Sequence, residues 1–133
     1  MNDIVTVERR NAVAIVTLNF PEKRNALGTA MSAGLSRVLG ELQEDEDLRA
    51  IVLYGGDHFC VGGDLTDLSA PAVAMRAIMK RGQGSIRALT AGRLPSVAAV
   101  QGNAFGAGFA LAMACDFVVA DENPALALPQ CVS

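Results

Sequence analysis

The sequence predicts an α/β fold whose strand and helix units are layered and coil on one another. Three observations lead there. Runs of β-branched apolar residues alternate with stretches whose apolar residues recur at helical spacing, and such units return at intervals of a few tens of residues. The chain has 133 residues, 51% of them hydrophobic. That is enough for one core and hardly for two, so residues 1–133 are read as a single domain.

"IVTVERR" and "AVAIVTLNF" (residues 4–10 and 12–20) are β-branched runs around a polar turn at Arg10 and Asn11, which predicts an antiparallel pair. "PEKRNAL" reads as a turn. After it Met31, Leu35, Val38, Leu39 and Leu42 fall on one helical face, predicting a helix over 29–43. The "EDED" stretch at 44–47 is expected in solvent, since carboxylates oppose the dipole at a helix C-terminus. "AIVLYGG" suits a strand buried on both faces. The segment "APAVAMRAIMKRGQGSIRALTAG" has a helical pattern interrupted by Gly82 and Gly84, so two pieces are expected. "SVAAVQG" reads as a strand, "GAGFALAMAC" as a helix apolar on every side and therefore buried, and "DFVVAD" as a further strand.

Composition narrows the function. With 11 basic against 14 acidic residues, one tyrosine and no tryptophan, the chain has no footprint for nucleic acid. No apolar run reaches membrane-spanning length, and the charged start "MNDIVTVERR" does not resemble a signal peptide, which predicts a cytoplasmic protein. Cys60, Cys115 and Cys131 are widely spaced and odd in number, so buried free thiols are expected, with neither a disulfide framework nor a metal site. A nucleotide-binding domain would need GxGxxG after the first strand or a GK[ST] loop, and neither is present.

Two segments share one design, "YGGDHFCVGGDL" and "VQGNAFGAGFAL": a strand ends in glycine and a glycine-rich turn opens a helix. Each would present unpaired backbone N–H groups at a helix N-terminus, where the dipole favours negative charge. Two such ends converging on one point would cradle a developing oxyanion, each donor contributing roughly 3 to 4 kcal/mol in a water-poor site. Small side chains let a carbonyl approach the N–H groups.

In "FPEKRNAL" (20–27), "FCVGGDL" (59–65) and "QGNAFGAGFALAMACDFVVAD" (101–121), in that order, the sequence resembles the crotonase, or enoyl-CoA hydratase/isomerase, superfamily. The resemblance implies a spiral of ββα units, a trimer or hexamer, and an acyl-CoA thioester whose carbonyl sits between two backbone N–H groups. By motif position these belong to Gly63 and Ala107. It implies further that Lys23, Arg24, Ala26, Gly62, Asp64 and Leu65 contact coenzyme A, which arrives as part of the substrate, so that no separate cofactor is needed. The implied activity is that of a lyase or isomerase of fatty acid metabolism.

Departures from the family pattern bear on the reaction. Where hydratases of the family carry two glutamates, this sequence has Ala110 and Gln130, and neither moves a proton as a carboxylate does. The chain is also shorter than the family's usual length, so a spiral truncated before the C-terminal helical segment is expected, or a partner chain supplying it. An alternative is a non-catalytic acyl-CoA-binding or subunit-like module. Several residues also have plainer readings. The glycines alone would fit ordinary turn geometry, Asp64 a helix cap, and Lys23 and Arg24 an exposed turn. The same holds for His58 as a solvated loop residue, Cys131 as an inert thiol, and the Met75 to Met79 stripe, near Asp67, as packing where the family has a mobile lid.

Overall fold

The computed structural model describes residues 3–128. The chain opens with two antiparallel strands, β1 (Val5–Arg10) and β2 (Val13–Leu18), joined by a tight turn in which Asn11 takes a left-handed conformation (φ 54°). Helix α1 (Thr29–Gln43) follows, with Met31, Leu35, Val38, Leu39 and Leu42 buried along one face. Then come β3 (Ala50–Tyr54), a 3-10 helix over Leu65–Ser69, α2 (Ala72–Thr90), β4 (Ser96–Val100), β5 (Asn103–Phe105), α3 (Ala107–Ala114), β6 (Phe117–Ala120) and β7 (Ala125–Ala127). Among the described residues no helix is long and apolar enough to cross a membrane.

The main sheet has the order β1-β2-β3-β4-β6, parallel from β2 onward. In its register Ala14 sits beside Ile51 and Val16 beside Leu53, which in turn neighbours Ala98. Period-two alternation therefore gathers these side chains on one face, where they meet Leu35, Leu39, Phe59 and Leu111 in the core. Only this face is fully buried. Val52 and Tyr54 on the other side of β3 are half-buried, so β3 is not the doubly buried strand its continuous apolar run predicts.

A second, smaller layer runs through the loops. β5 pairs with β7 in parallel, and single parallel bridges join Leu27 to Gly63 and Cys60 to Ala104. Successive units of the chain thus lay short extended segments side by side, as in a spiral of ββα units. β5 and β7 are three residues each, too short for periodicity to reveal.

Two further expectations are corrected, and a third holds for three of its four residues. α2 is one helix through Gly82 and Gly84. A Cβ at Gly84 would stand 2.8 Å from the Ser36 hydroxyl oxygen, so this glycine lets α2 lie close on α1 and does not break it. α3 is buried only at Gly108, Leu111 and Ala112, while Met113 is 60% exposed. In the acidic stretch Glu44, Glu46 and Asp47 are exposed, but Asp45 is half-buried and paired with Arg9.

Candidate active site

The first glycine turn is held from outside. Asn25, 1% exposed and left-handed at φ 59°, donates from its amide to the carbonyls of Gly55 and His58 at 2.8 Å and of Phe59 at 3.3 Å. Its own Oδ1 accepts from the Phe20 N–H at 2.7 Å. The turn is then stitched to the second one: the Cys60 N–H donates to Asn103 and the Phe105 N–H to Cys60, both at 3.0 Å. At two points only glycine fits this approach. Gly62 has φ +103°, and a Cβ there would lie 2.9 Å from the Phe105 carbonyl oxygen. A Cβ at Gly108 would drive into the Cys60 carbonyl.

The consequence is that Gly63 and Ala107 line one cavity of about 770 Å³. Ala107 is the first residue of α3, so its N–H belongs to the unpaired first turn. Among the described residues neither its N–H nor that of Gly63 has a protein acceptor. Ala110, one turn further on, lines the same cavity. So do Gly62, Asp64 and Leu65, together with Met75, Ile78 and Met79 from α2. The methionine stripe is thus a cavity wall and not core, with Met79 61% exposed.

Asp64 caps the 3-10 helix, accepting from the Thr66 N–H at 3.0 Å and hydroxyl at 2.7 Å. Lys23 donates to its other oxygen at 2.6 Å. The Lys23 ammonium first, then Thr66, hold the Asp64 carboxyl down at about 2, so it stays ionised near neutral pH. Lys23 and Ala26 line a smaller cavity of about 210 Å³ beside the main one, shared with Asp64 and Asp67. Arg24 lines neither; its carbonyl accepts from the Val61 N–H at 3.2 Å. Asp67 reaches both cavities, and its Oδ2 is buried without a hydrogen-bond partner among the described residues. His58 does not line the main cavity; it packs beside Gly102 with a buried Nδ1. Gln130 and Cys131 lie outside the described residues.

Asn25 is the part that residue-level reading does not single out, and the Met75 to Met79 stripe is noted there but read as packing. An asparagine shortly after a proline, in a turn segment, is a signal for a left-handed position. Its carbonyl partners, 30 to 34 residues downstream, leave no local trace.

Cys60 and Cys115 are free and buried. Burial pushes both thiols up to about 11 from 9.0. A disulfide reagent at pH 8 is therefore expected to modify Cys60 and Cys115 roughly a hundredfold more slowly in the folded protein than in denaturant. Peptide mapping of the labelled sites checks this; fast native labelling of either would contradict the packing described.

The enoyl-CoA hydratase/isomerase family model matches residues 8–132. The chain belongs to this family. Among curated members, it is 35% identical over 128 residues to (E)-benzylidenesuccinyl-CoA hydratase of Thauera aromatica, covering 95% of this chain and 50% of that protein. It is 37% identical over 131 residues to 2,3-dehydroadipyl-CoA hydratase of Escherichia coli K12, covering 98% and 51%. Among solved structures, Pseudomonas aeruginosa DspI superposes with a TM-score of 0.89 at 31% identity, covering 98% of this chain and 54% of that one. An enoyl-CoA hydratase/isomerase from Mycobacterium paratuberculosis gives a TM-score of 0.84 at 34% identity, covering 93% and 51%. The architecture is thus the crotonase fold of the family. The chain spans about half the length of the curated relatives it matches.

Proposed function

We propose that this enoyl-CoA hydratase/isomerase family member binds an acyl-CoA thioester, directs the thioester oxygen at the N–H groups of Gly63 and Ala107, and stabilises the enolate there. The observation that carries the reading is the convergence of the two glycine turns, with both N–H groups unpaired among the described residues, on one largely apolar cavity. A preformed pocket of this size with a few convergent polar groups is what a small acyl ligand needs. The smaller cavity beside it, with Lys23 and Ala26 at its wall, suits the coenzyme A portion, the ammonium facing phosphate. Lys23 must then share itself between that phosphate and Asp64. The two curated relatives named above are hydratases of CoA thioesters, which supports the ligand class.

A second reading, a thioester-binding module without hydratase chemistry, is favoured by Ala110. This methyl group stands on the cavity wall, at the position where the resemblance to the family implies a glutamate. In either reading β6, with Phe117 67% and Val119 63% exposed, supports an assembly in which this edge is covered by another copy or a partner chain.

Titration calorimetry tests the ligand. Acetyl-CoA is expected to bind at least about tenfold more tightly than acetate, a difference of ~1.4 kcal/mol or more. Equal binding of both, or binding of neither by a sample with native circular dichroism, would overturn the assignment.

A further inference from the structure

The α2 wall of the main cavity has a gap. Met75, Ile78, Met79 and Ile86 line the cavity from this helix at the spacing of a single stripe. Gly82 occupies the stripe position between Met79 and Ile86, and it lines the cavity too. Glycine in a helix interior is unfavourable relative to alanine, so its presence asks for a reason. Local geometry gives none: the backbone there is ordinary helix, and a Cβ would meet no heavy atom within 4 Å. Gly84 differs, since the Ser36 hydroxyl takes up its space. What a side chain at Gly82 would occupy is the cavity itself.

We propose that Gly82 is a specificity-determining position, the missing side chain leaving a recess in the α2 wall that admits acyl groups larger than butanoyl. Of the α2 residues that line the cavity with Gly82, Met75, Ile78, Met79 and Ile86 are apolar and Gln83 and Ser85 polar; a mostly apolar wall favours hydrocarbon, a medium-length or branched acyl chain whose thioester end lies at Gly63 and Ala107. This inference rests on the acyl-CoA reading above. It adds that the chain's preference among thioesters is set by one absent side chain on α2.

The test compares acetyl-CoA and octanoyl-CoA by titration calorimetry across the wild type, Gly82→Ala, Gly82→Leu and Gly40→Leu. Gly40 serves as control because it too has open space around its Cβ, but on the exposed surface of α1 and away from the cavity. The wild type and Gly40→Leu are expected to favour octanoyl-CoA. Gly82→Leu is expected to lose octanoyl-CoA affinity by roughly 200-fold or more, since its four carbons exceed the single methylene that is worth about 10- to 200-fold in a pocket, with acetyl-CoA affinity kept. Gly82→Ala should fall between, and it carries the test if circular dichroism shows the leucine variant unfolded. An octanoyl-to-acetyl affinity ratio that stays the same in every folded Gly82 variant would overturn the proposal while leaving thioester binding intact. A wild type that binds neither thioester would overturn the underlying reading instead.

Discussion

Crotonyl-CoA is expected to be hydrated by this chain about 10²- to 10⁴-fold more slowly than by a relative with a glutamate at the position of Ala110, the range a positioned proton-transfer group contributes. Hydration needs a water deprotonated at one carbon and a proton delivered to the other. Backbone donors at Gly63 and Ala107 would stabilise the enolate between those steps without moving either proton. Ala110 lines the cavity one helical turn after Ala107 and offers only a methyl group. Asp64 also lines the cavity, but with its carboxyl held at about 2 by Lys23 and Thr66 it does not carry a proton at neutral pH. Ala110→Glu is the informative variant, because it places a carboxylate on a cavity wall without touching the core. The variant is expected to raise the rate at which the enoyl absorbance decays, and a variant no faster than the wild type would count against the placement of the site. Fast hydration by the wild type would assign the proton to another group. Asp67, whose Oδ2 is buried beside the same cavity with no partner among the described residues, is then the residue to replace by asparagine.

What the sequence made legible, and what it did not, follows from how far each signal reaches along the chain. The apolar face of α1 is written in residues three and four apart, and its limits at Thr29 and Gln43 agree with the structure. The two glycine turns were also visible locally, because each carries its own cluster. Misreadings came where a distant element decides. Gly82 and Gly84 look like helix breakers until α1 and the cavity are placed against them. The all-apolar α3 looks fully buried, yet Ala107 and Ala110 turn toward the cavity and Met113 outward. β5 and β7 exist through pairing some twenty residues apart, assisted by the Gly106 N–H donating to the Ala127 carbonyl at 2.8 Å.

Replacing Asn25 by alanine is expected to destabilise the protein by about 2–5 kcal/mol and lower its melting temperature by roughly 10–20 °C, with thioester binding lost before the fold is. The side chain is buried and fully used: two amide hydrogens serve the carbonyls of Gly55, His58 and Phe59, and the amide oxygen serves the Phe20 N–H. Truncation leaves several polar groups without partners, each costing about 1–3 kcal/mol, against a total stability of only about 5–15 kcal/mol. Part of the loss is backbone strain, since alanine is less willing than asparagine to hold φ 59°. Asn25→Gly separates the two contributions, keeping the left-handed backbone while removing every side-chain bond. If the bonds dominate, the glycine variant melts nearly as low as the alanine variant. Asn25→Asp adds a sign. It keeps the acceptor for Phe20 but turns a carboxylate oxygen toward three carbonyls, which favours the protonated form. The aspartate's pKa in the folded state would then lie above its unfolded value, so the stability of this variant relative to wild type should rise as pH falls through that interval. Melting curves followed by circular dichroism between pH 4 and 8 read all three variants. An alanine variant within a few degrees of the wild type would mean that the first glycine turn holds its shape without Asn25, through the backbone bridges of Leu27 with Gly63 and of Cys60 with Ala104.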